Sequence, residues 1–325
     1  MSSKQAPGPA PTRGIVNAAI GLIVVIWAVN FIAAKIGLRH LPAPLMASFR
    51  VVFAGVTMVP AYLICSHLPA FTQTAHARKR GFSVGDLWTF TYLGFFGVAV
   101  NQFCFTLGLR YTSVSHSAII VGMGPIYALI MAVLSGLERA SAHKIVGMGI
   151  ALVGVVVLAS DKSASLHSSL IGDAITLIGS LGFATYVVLG KRVAARYDAL
   201  TMTAFNHFAG ALIVTPFALY QGLRLGGWTQ WQQVPWPAWC ALLYMAVFSS
   251  AVAYLLYFWL LQYLEASQLT AFTYLLPVLA TLLGIVWLGE RGSLLQIVGA
   301  VLALFGVYWV ESGRTSAALS QSSQG

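Results

Sequence analysis

The chain has 325 residues, of which 58% are hydrophobic and only 8% are charged, with a mean hydropathy of +0.82. Soluble domains carry about 25% charged residues, so a chain this apolar lacks the polar surface that a fold in water needs, and lipid is the better solvent. The net charge of +10 is dispersed along the chain, which argues against a nucleic-acid-binding protein.

The start of the chain predicts a short tail followed by a membrane helix. Residues 1–13 are rich in proline and glycine, which predicts a disordered cytoplasmic tail. The apolar run after them is too long for the hydrophobic region of a signal peptide, and it contains Asn30 and Lys35. We therefore expect it to be a permanent span rather than a cleaved leader.

Ten apolar stretches are long enough to cross a bilayer as helices, which takes about 20 residues each. Their continuous apolar character is unlike the alternating pattern of barrel strands. The sequence therefore predicts an all-α integral membrane protein with ten transmembrane helices. The expected spans are 14–36, 43–65, 86–108, 112–135, 142–160, 169–190, 200–221, 238–261, 267–288 and 293–312.

Lysine and arginine indicate the orientation because they are enriched in cytoplasmic loops. With the N-terminus inside, eleven of these residues fall on the cytoplasmic side and five outside, and the other two lie within spans. The cluster Arg78-Lys79-Arg80 is the strongest single indication. Both termini are therefore expected in the cytoplasm, and residues 313–325 form the C-terminal tail.

The two halves of the chain repeat one another. A shift of about 152 positions superimposes residues that unrelated apolar helices would not share by chance. The superimposed pairs include Pro125 with Pro277, Glu138 with Glu290, and Gly147 with Gly299.

An offset of about 156 relates the first two helices to the sixth and seventh in the same manner. The repeat unit is therefore five helices, at 14–160 and 169–312, joined by a linker at 161–168. Because five is odd, the second unit must enter the membrane from the opposite side. Inverted repeats of this kind are typical of secondary transporters, whose binding site lies between the halves.

The repeated residues also resemble those of a known family. In each half a proline is followed thirteen residues later by Glu-Arg, nine further by glycine, and then by Leu-x-Gly-Val. With Trp27-Ala-Val-Asn30-Phe-Ile-Ala-Ala-Lys35, Pro44 and Phe49-Arg50, this pattern resembles the EamA repeat of the drug/metabolite transporter superfamily. The resemblance covers both halves and implies a ten-helix bundle with a central cavity. Within the superfamily the chain looks most like bacterial exporters of amino acids and related metabolites, including cysteine and O-acetylserine exporters.

Polar and aromatic side chains inside the spans predict a cavity between the halves. Trp27, Asn30 and Phe31 share one face of the first helix, where rings and an amide would be wasted against lipid. For Asn30, an ordinary hydrogen bond between helices is the alternative. The remaining polar candidates lie in the third and the sixth to eighth spans. They are Asn101, Gln102, Tyr186, Asn206, His207 and Tyr254.

Arg50 is the candidate with the clearest chemistry. It lies about two turns into the second helix within an apolar run, where a charge costs about 2.5–3.5 kcal/mol on insertion scales. A substrate carboxylate in a wet cavity would satisfy it through bidentate hydrogen bonds. The alternative is contact with carbonyls at helix ends or with the outer interface.

The repeated residues themselves allow two interpretations each. Glu138 and Glu290 are either turn residues that suit a helix dipole or members of a gate. Gly147 and Gly299 belong to small-xxx-small pairs, which fit packing within the chain or a homodimer seam. The prolines are either hinges or shape the cavity.

The function follows from what is present and what is missing. The sequence has no Walker A motif, catalytic triad or zinc-ligand spacing, so we expect no enzyme, no metal and no cofactor. We predict a secondary active transporter of amino acids or related metabolites in the bacterial cytoplasmic membrane. The predicted direction of transport is export. The partners of the transporter would be a small-molecule substrate and the lipid bilayer, with no nucleic acid. Export of drugs or other metabolites, or a membrane assembly role without transport, are the alternatives.

Overall fold

A computed structural model of the chain describes residues 11–67, 84–112, 117, 120–159, 169–194, 196–224, 232–276, 278–279, 282–283 and 294–322. For residues 158–159, 296 and 311–322 it describes the backbone alone. Throughout these ranges the chain forms helices and the turns between them. The linker predicted at 161–168, Pro277 and Glu290 lie outside the described residues, and the predictions made for them stay predictions.

The helices of the first half begin and end at residues that favour such boundaries. Pro44 and Pro125 lie in the first turns of their helices, where a missing N–H costs nothing. Gly136 follows the fourth helix with φ of +67°, the left-handed conformation that commonly ends helices. The helices are α1 (Arg13–Leu38), α2 (Ala43–Cys65), α3 (Val84–Tyr111), α4 (Gly124–Leu134) and α5 (Ala142–Ala159).

The second half contains a matching series. Ser169 caps the first of these helices by accepting a hydrogen bond from the amide of Gly172 at 3.2 Å. The helices are α6 (Leu170–Val193), α7 (Ala199–Arg224), α8 (Trp236–Leu261), α9 (Ala266–Ala271) and α10 (Leu294–Ser322). A 3-10 turn at Phe272–Tyr274 extends α9.

Two boundaries differ from those that hydropathy predicts. Pro125 is expected inside a helix that begins at 112, but a turn at Met123 interrupts the helix just before it. The proline thus opens a new helical segment rather than bending a continuous one. Similarly, α10 continues to Ser322, past the predicted end at 312, because hydropathy locates the end of the apolar run and not the end of the helix.

The lengths and surfaces of the helices define a multi-pass membrane protein. Six of them, α1 to α3 and α6 to α8, are long and apolar enough to cross a membrane. Shorter apolar helices run over Ile120–Leu134, Ala142–Val157 and Ile297–Val310. Many outward-facing large side chains are exposed, including Leu63, Val153 and Leu212. A surface this apolar is stable against lipid tails and not against water.

Small residues hold α5 and α10 together in an antiparallel pair. A Cβ added to Gly147 would lie 3.1 Å from the carbonyl oxygen of Gly306, and one added to Gly154 would lie 2.7 Å from that of Gly299. Because the lower number in one helix meets the higher number in the other, the two helices run in opposite directions. The small-xxx-small pairs therefore pack within the chain, which leaves a dimer untested.

The pair α2 and α7 is antiparallel in the same way. Val51 clusters with Val214, and Met58 clusters with Ala204, so the numbering again runs in opposite senses. Elsewhere, α3 packs against α6 and α8 against α1, while α2 and α7 both contact α3 and α8. These contacts come in equivalent pairs when α1 to α5 are matched in order with α6 to α10. For example, the contact of α3 with α6 corresponds to that of α8 with α1.

Both α3 and α8 contain a widened π-helical turn, at Phe95–Val100 and at Met245–Val252. A shift of about 152 residues, the offset of the sequence repeat, makes these turns overlap. Segments of this kind often occur at functional sites because they redirect side chains out of the regular helical pattern.

Candidate functional site

A cavity lies among seven of the helices, and it contains about 680 Å³ of space free of protein atoms, including its opening to solvent. Residues of α1, α2, α3, α6 and α8 line it, together with Val121 before α4, Gly124 at the start of α4, and residues of α9 and of the 3-10 turn and its end. On α1 and α3 these residues lie in the C-terminal half, and on α2 and α6 in the N-terminal half. On α8, by contrast, Ser249 and Tyr254 lie just past the middle of the helix, so the cavity reaches the centre of the bundle.

Seven of the ten candidate site residues line this cavity. They are Trp27, Asn30, Phe31, Arg50, Asn101, Gln102 and Tyr254. The other three, Tyr186, Asn206 and His207, are completely buried and lie outside the lining. His207 still contacts two lining side chains, since its ring meets Tyr254 edge-on at 5.2 Å and its Nε2 is 3.2 Å from Gln102 Nε2.

Arg50 is a buried cation that hydroxyl groups surround. Its Nε and one terminal nitrogen, Nη2, donate to the hydroxyls of Ser250 and Ser249, each at 3.2 Å, and Nη1 donates to Thr106 at 3.4 Å. The ring of Phe105 lies 6.0 Å away. Among the described residues no carboxylate pairs with it within 4.0 Å. The guanidinium is thus oriented but not neutralised.

A chain of hydrogen-bonded polar groups, which begins at Ser250, fixes the orientation of the Arg50 guanidinium. Ser250 donates to Gln102 Oε1 at 2.8 Å, and the Gln102 amide nitrogen faces His207. His207 Nδ1 lies 2.8 Å from the carbonyl oxygen of Thr203. A neutral imidazole protonated on Nδ1 satisfies both contacts, because Nε2 then accepts from Gln102.

The serines that hold Arg50 are functional candidates that the sequence reasoning missed. Ser249 and Ser250 lie in the π-helical turn of α8, about 200 positions from their partner. The available signal was a pair of adjacent hydroxyls inside an otherwise apolar span. Nothing in the local pattern reveals the widened turn that points both serines toward α2.

A second polar link joins three helices at the cavity wall. The Tyr254 hydroxyl of α8 donates to Asn101 Oδ1 at 2.8 Å, and Asn101 Nδ2 donates to the carbonyl oxygen of Gly179 in α6 at 2.9 Å. Both the oxygen and the nitrogen of the Asn101 amide are thus bonded to other groups of the protein. Asn101 therefore serves mainly to position Tyr254.

An aromatic layer lies beside the cavity, and its members are Trp27, Phe183, Tyr186, Tyr254 and Tyr257. Trp27 and Phe183 occupy equivalent positions in the sequence repeat, and their ring centroids are 5.8 Å apart. The Trp27 indole is also within 6.0 Å of both Tyr254 and Tyr257. Edge-to-face contacts of this kind stabilise the layer beyond simple burial.

Beyond the aromatic layer, an ionic cluster joins the two halves. We call Glu138, Lys144, Glu265 and Ser267 the loop-end network. Lys144 Nζ binds Glu138 at 3.1 Å and also pairs with Glu265. Glu138 accepts from the backbone amide of Ser267 at 3.1 Å and from its hydroxyl.

The loop-end network links Glu138 to the other half of the chain. Its side chain is only 4% exposed, and it bonds to the start of α9 in the opposite half of the chain. Next to it, Lys191 donates from α6 to the carbonyl oxygens of Leu261 and Leu264 at 2.7 and 2.6 Å. These bonds satisfy carbonyl groups at the C-terminal end of α8.

A membrane-embedded helical bundle that encloses a polar cavity and is closed at one end has the architecture of a transporter. The EamA-like transporter family matches the chain over residues 14–160 and again over residues 170–312. The chain belongs to this family. Each of the two matched ranges covers one half of the sequence repeat.

Relatives from other organisms are similar over nearly their whole length. An "Uncharacterized transporter" of Archaeoglobus fulgidus is 26% identical over 291 residues, which cover 90% of this chain and 96% of the relative. A "Probable terminal-alkyne amino-acid exporter" of Streptantibioticus cattleyicolor is 24% identical over 292 residues, which cover 89% and 91%. A solved structure described only as "Crystal structure of protein" shares the fold, with a TM-score of 0.69 at 16% identity over 92% of this chain and 96% of its own.

Proposed function

We propose that this protein is a secondary active exporter of amino acids or related small carboxylates across the bacterial cytoplasmic membrane. The observation that carries the proposal is Arg50, a buried cation on a cavity wall whose hydrogen-bond partners among the described residues are all hydroxyls. Burying an uncompensated charge is costly. When such a charge lies on a cavity wall, a ligand of opposite charge offsets the cost, and this favours binding of that ligand.

The chemistry of Arg50 favours a carboxylate as that counter-charge. A guanidinium presents its N–H groups in a planar fork that matches a carboxylate through two parallel hydrogen bonds. No other Lys, Arg or His side chain belongs to the described lining. One fixed cation suits a ligand with a single carboxylate better than a phosphate-rich ligand.

Alternating access between two inverted five-helix halves, with ten spans in all, is the proposed mechanism. Its support is that the repeat-related helices α5 and α10 run antiparallel, as do α2 and α7. The exchange symmetry of the helix contacts and the twofold match to one family support it as well. Rocking of the halves would expose the cavity to each side in turn.

With both termini in the cytoplasm, the loop-end network lies at the cytoplasmic end. In this orientation the cavity lining on α1, α2 and α3 lies nearer the outer end of the bundle, which supports an outward-facing conformation that the aromatic layer and the network close on the inside. Breaking contacts between Glu138 and the start of α9 would be needed to reach the inward-facing state. Glu138 is thus proposed as a gate residue as well as a turn residue.

The proposed substrate site consists of the ten candidates. Seven line the cavity, while Tyr186, Asn206 and His207 would act from behind it. Export and amino-acid specificity are supported by the name of the Streptantibioticus relative alone. The many rings on the cavity wall keep amphipathic drugs as a second candidate class, and a membrane assembly role has no comparable support.

The proposal is tested by overexpression in a bacterial host that lacks its own amino-acid exporters. Cells are challenged with toxic amino-acid analogues and, in parallel, with cationic drugs that carry no carboxylate. We expect tolerance to rise for a subset of the analogues and not for the drugs, and to disappear in Arg50→Gln at equal membrane abundance. Tolerance to the drugs alone, or tolerance that Arg50→Gln leaves intact, would overturn the assignment.

A further inference from the structure

The polar side chains of the cavity wall differ in whether they already have hydrogen-bond partners within the protein. Almost all of them have a partner within the described part of the chain. Trp27 Nε1 donates to the Ser249 carbonyl at 3.1 Å, and Ser180 donates to the Ile120 carbonyl at 3.3 Å. Asn101, Gln102 and Tyr254 bind protein groups as described above. Within the proposed substrate site, these side chains would therefore shape the cavity rather than offer an unused polar group to a ligand.

Two lining groups are exceptions to this pattern. The charge of Arg50 has no carboxylate partner among the described residues, and the side-chain oxygen of Asn30 has no hydrogen-bond donor there. Asn30 is only 4% exposed, so bulk water does not compensate the missing bond. A buried acceptor without a donor destabilises the empty protein, and a ligand donor would remove that cost.

We propose that Asn30 is a specificity-determining residue that accepts a hydrogen bond from the amino group of the substrate. This inference rests on the proposed function and narrows its substrate class. A ligand that satisfies both exceptions must bring an anion for Arg50 and a donor for Asn30. An α-amino acid has both groups on one carbon, whereas a simple carboxylate has only the first.

The surroundings of Asn30 fit an ammonium group of this kind. Trp27 and Phe31 lie on the same face of α1, and Phe183 faces Trp27 across the cavity wall. The faces of aromatic rings attract cations. The described lining contains no Asp or Glu, so the amide oxygen would be the main polar acceptor that distinguishes amines from other groups. Because a half-turn about the Cβ–Cγ bond exchanges the positions of the amide oxygen and nitrogen, the carboxamide can adapt to a ligand donor.

The sequence repeat does not give Asn30 an asparagine counterpart in the second half. The equivalent position in the second half is Tyr186, which is fully buried and lies behind the cavity wall. Likewise Asn206 stands at the position equivalent to Arg50. The two functional exceptions therefore both come from the first half, which gives the cavity the asymmetry that an α-amino acid requires.

The test compares ligands that differ only in the group on the α-carbon. Purified wild-type protein is assayed by ligand-induced thermal stabilisation and by inhibition of counterflow with two series. The first is leucine, leucate and isocaproate, and the second is phenylalanine, phenyllactate and hydrocinnamate. We expect the amino acids, and to a lesser degree the hydroxy acids, to bind about 5- to 150-fold more tightly than the acids that lack a donor.

Variants of Asn30 separate recognition of the donor from general binding. Asn30→Leu, which is similar in size and removes an unpaired acceptor, is expected to fold and to bind all members of a series within about threefold. Asn30→Asp is expected to strengthen the preference for the amine over the hydroxyl. Arg50→Gln should weaken all members equally, because they share the carboxylate.

The outcomes distinguish the two proposals. If no carboxylate in either series binds the folded wild type, the proposed function itself is wrong. If the amino acids bind but no more tightly than isocaproate and hydrocinnamate, the role of Asn30 is wrong while the carboxylate site stands. If Asn30→Leu still binds the amino acids as selectively as the wild type does, the role of Asn30 is likewise wrong and the carboxylate site stands.

Discussion

The proposed role of Arg50 combines a cost in stability with a gain in binding, and experiment can separate the two. A buried cation held by hydroxyls loses its hydration, and the described part of the chain offers Arg50 no ion pair in return. Residues of this type are usually retained for function. The same side chain should therefore be unfavourable in the empty protein and favourable in the complex.

Replacing Arg50 by methionine is expected to stabilise the empty protein by on the order of 1–4 kcal/mol, because an apolar side chain of similar length carries no desolvation cost. The gain should appear as a higher unfolding temperature in detergent, and stabilisation by added amino acids should vanish. Arg50→Lys is the matched control, since it retains the charge but lacks the planar fork. A lower unfolding temperature for Arg50→Met would indicate that the hydroxyl contacts more than offset the burial.

The two serines around Arg50 provide a second residue-level comparison. Ser250 bonds to Arg50, to Gln102 and to the Met245 carbonyl, whereas the Ser249 hydroxyl contacts Arg50. Ser250→Ala leaves buried partners unsatisfied and should destabilise the protein by about 1–3 kcal/mol. Ser249→Ala should cost less and act mainly on the KM for substrate. The opposite order, measured by thermal unfolding and transport, would contradict the hydrogen-bond chain.

Among the elements, the seam between α5 and α10 depends on the absence of side chains. A Cβ on Gly154 would overlap the backbone nitrogen of Ala303, and one on Gly306 would overlap that of Ala151. By contrast, a Cβ on Gly149, in the same helix as Gly154, meets nothing within 4 Å. One helix thus contains both a sensitive glycine and a matched control.

We expect Gly154→Ala to destabilise the protein by about 1–3 kcal/mol, because overpacking forces the helices apart. Gly149→Ala should be neutral or stabilising by up to about 1 kcal/mol, since alanine favours the helix. Thermal unfolding of the two purified variants makes the comparison. Equal effects of the two changes would mean that α5 and α10 do not pack through this seam.

The loop-end network makes a prediction about access to the cavity. Glu138→Gln removes a nearly buried charge that joins the two halves, so the inward-facing state should become more populated. A single cysteine at Thr270, with Cys65, Cys104 and Cys240 replaced by serine, should then react several-fold faster with a maleimide from the cytoplasmic side. Glu265→Gln is the control, because the Glu265 side chain is 47% exposed and an exposed ion pair contributes little. Unchanged labelling in Glu138→Gln would remove Glu138 from the gate.

Sequence reasoning predicted the elements of the fold better than their contacts. Apolar runs gave α1, α2 and α8 to within a few residues, since a bilayer demands a minimum length of apolar helix. The small-residue pairs identified the faces of α5 and α10 that pack. The break at Met123 was missed because the apolar run continues through it, and the continuation of α10 was missed because the helix extends beyond its apolar run.

The candidate site was predictable where a residue is anomalous on its own. Arg50 and Asn30 stand out because a charge and an amide are expensive in a membrane helix, wherever their partners are. Ser249 and Ser250 did not stand out, because a hydroxyl is cheap there. Their role depends on the π-helical turn and on the packing of α8 against α2, and both arise from contacts between distant parts of the chain.

At the scale of the whole molecule, we propose that the duplicated residues form the framework and that the residues that differ between the halves form the substrate site. The repeated glycines meet at the seam between α5 and α10, where the halves contact each other symmetrically. The positions that differ between the halves include Arg50 and Asn206, and Asn30 and Tyr186. A symmetric scaffold around an asymmetric cavity suits a transporter that must bind an asymmetric ligand in two conformations.

The most direct test of this function is amino-acid counterflow in proteoliposomes, with wild type and Arg50→Gln reconstituted at equal density. Vesicles loaded with an unlabelled amino acid are diluted into labelled amino acid without any added energy source. Wild type should give a transient, saturable accumulation of label, and Arg50→Gln should raise the KM by about 10-fold or more, in line with the loss of a charged hydrogen bond. Counterflow that is the same in both proteins, or absent from folded wild type across the common amino acids, would contradict transport through the Arg50 cavity.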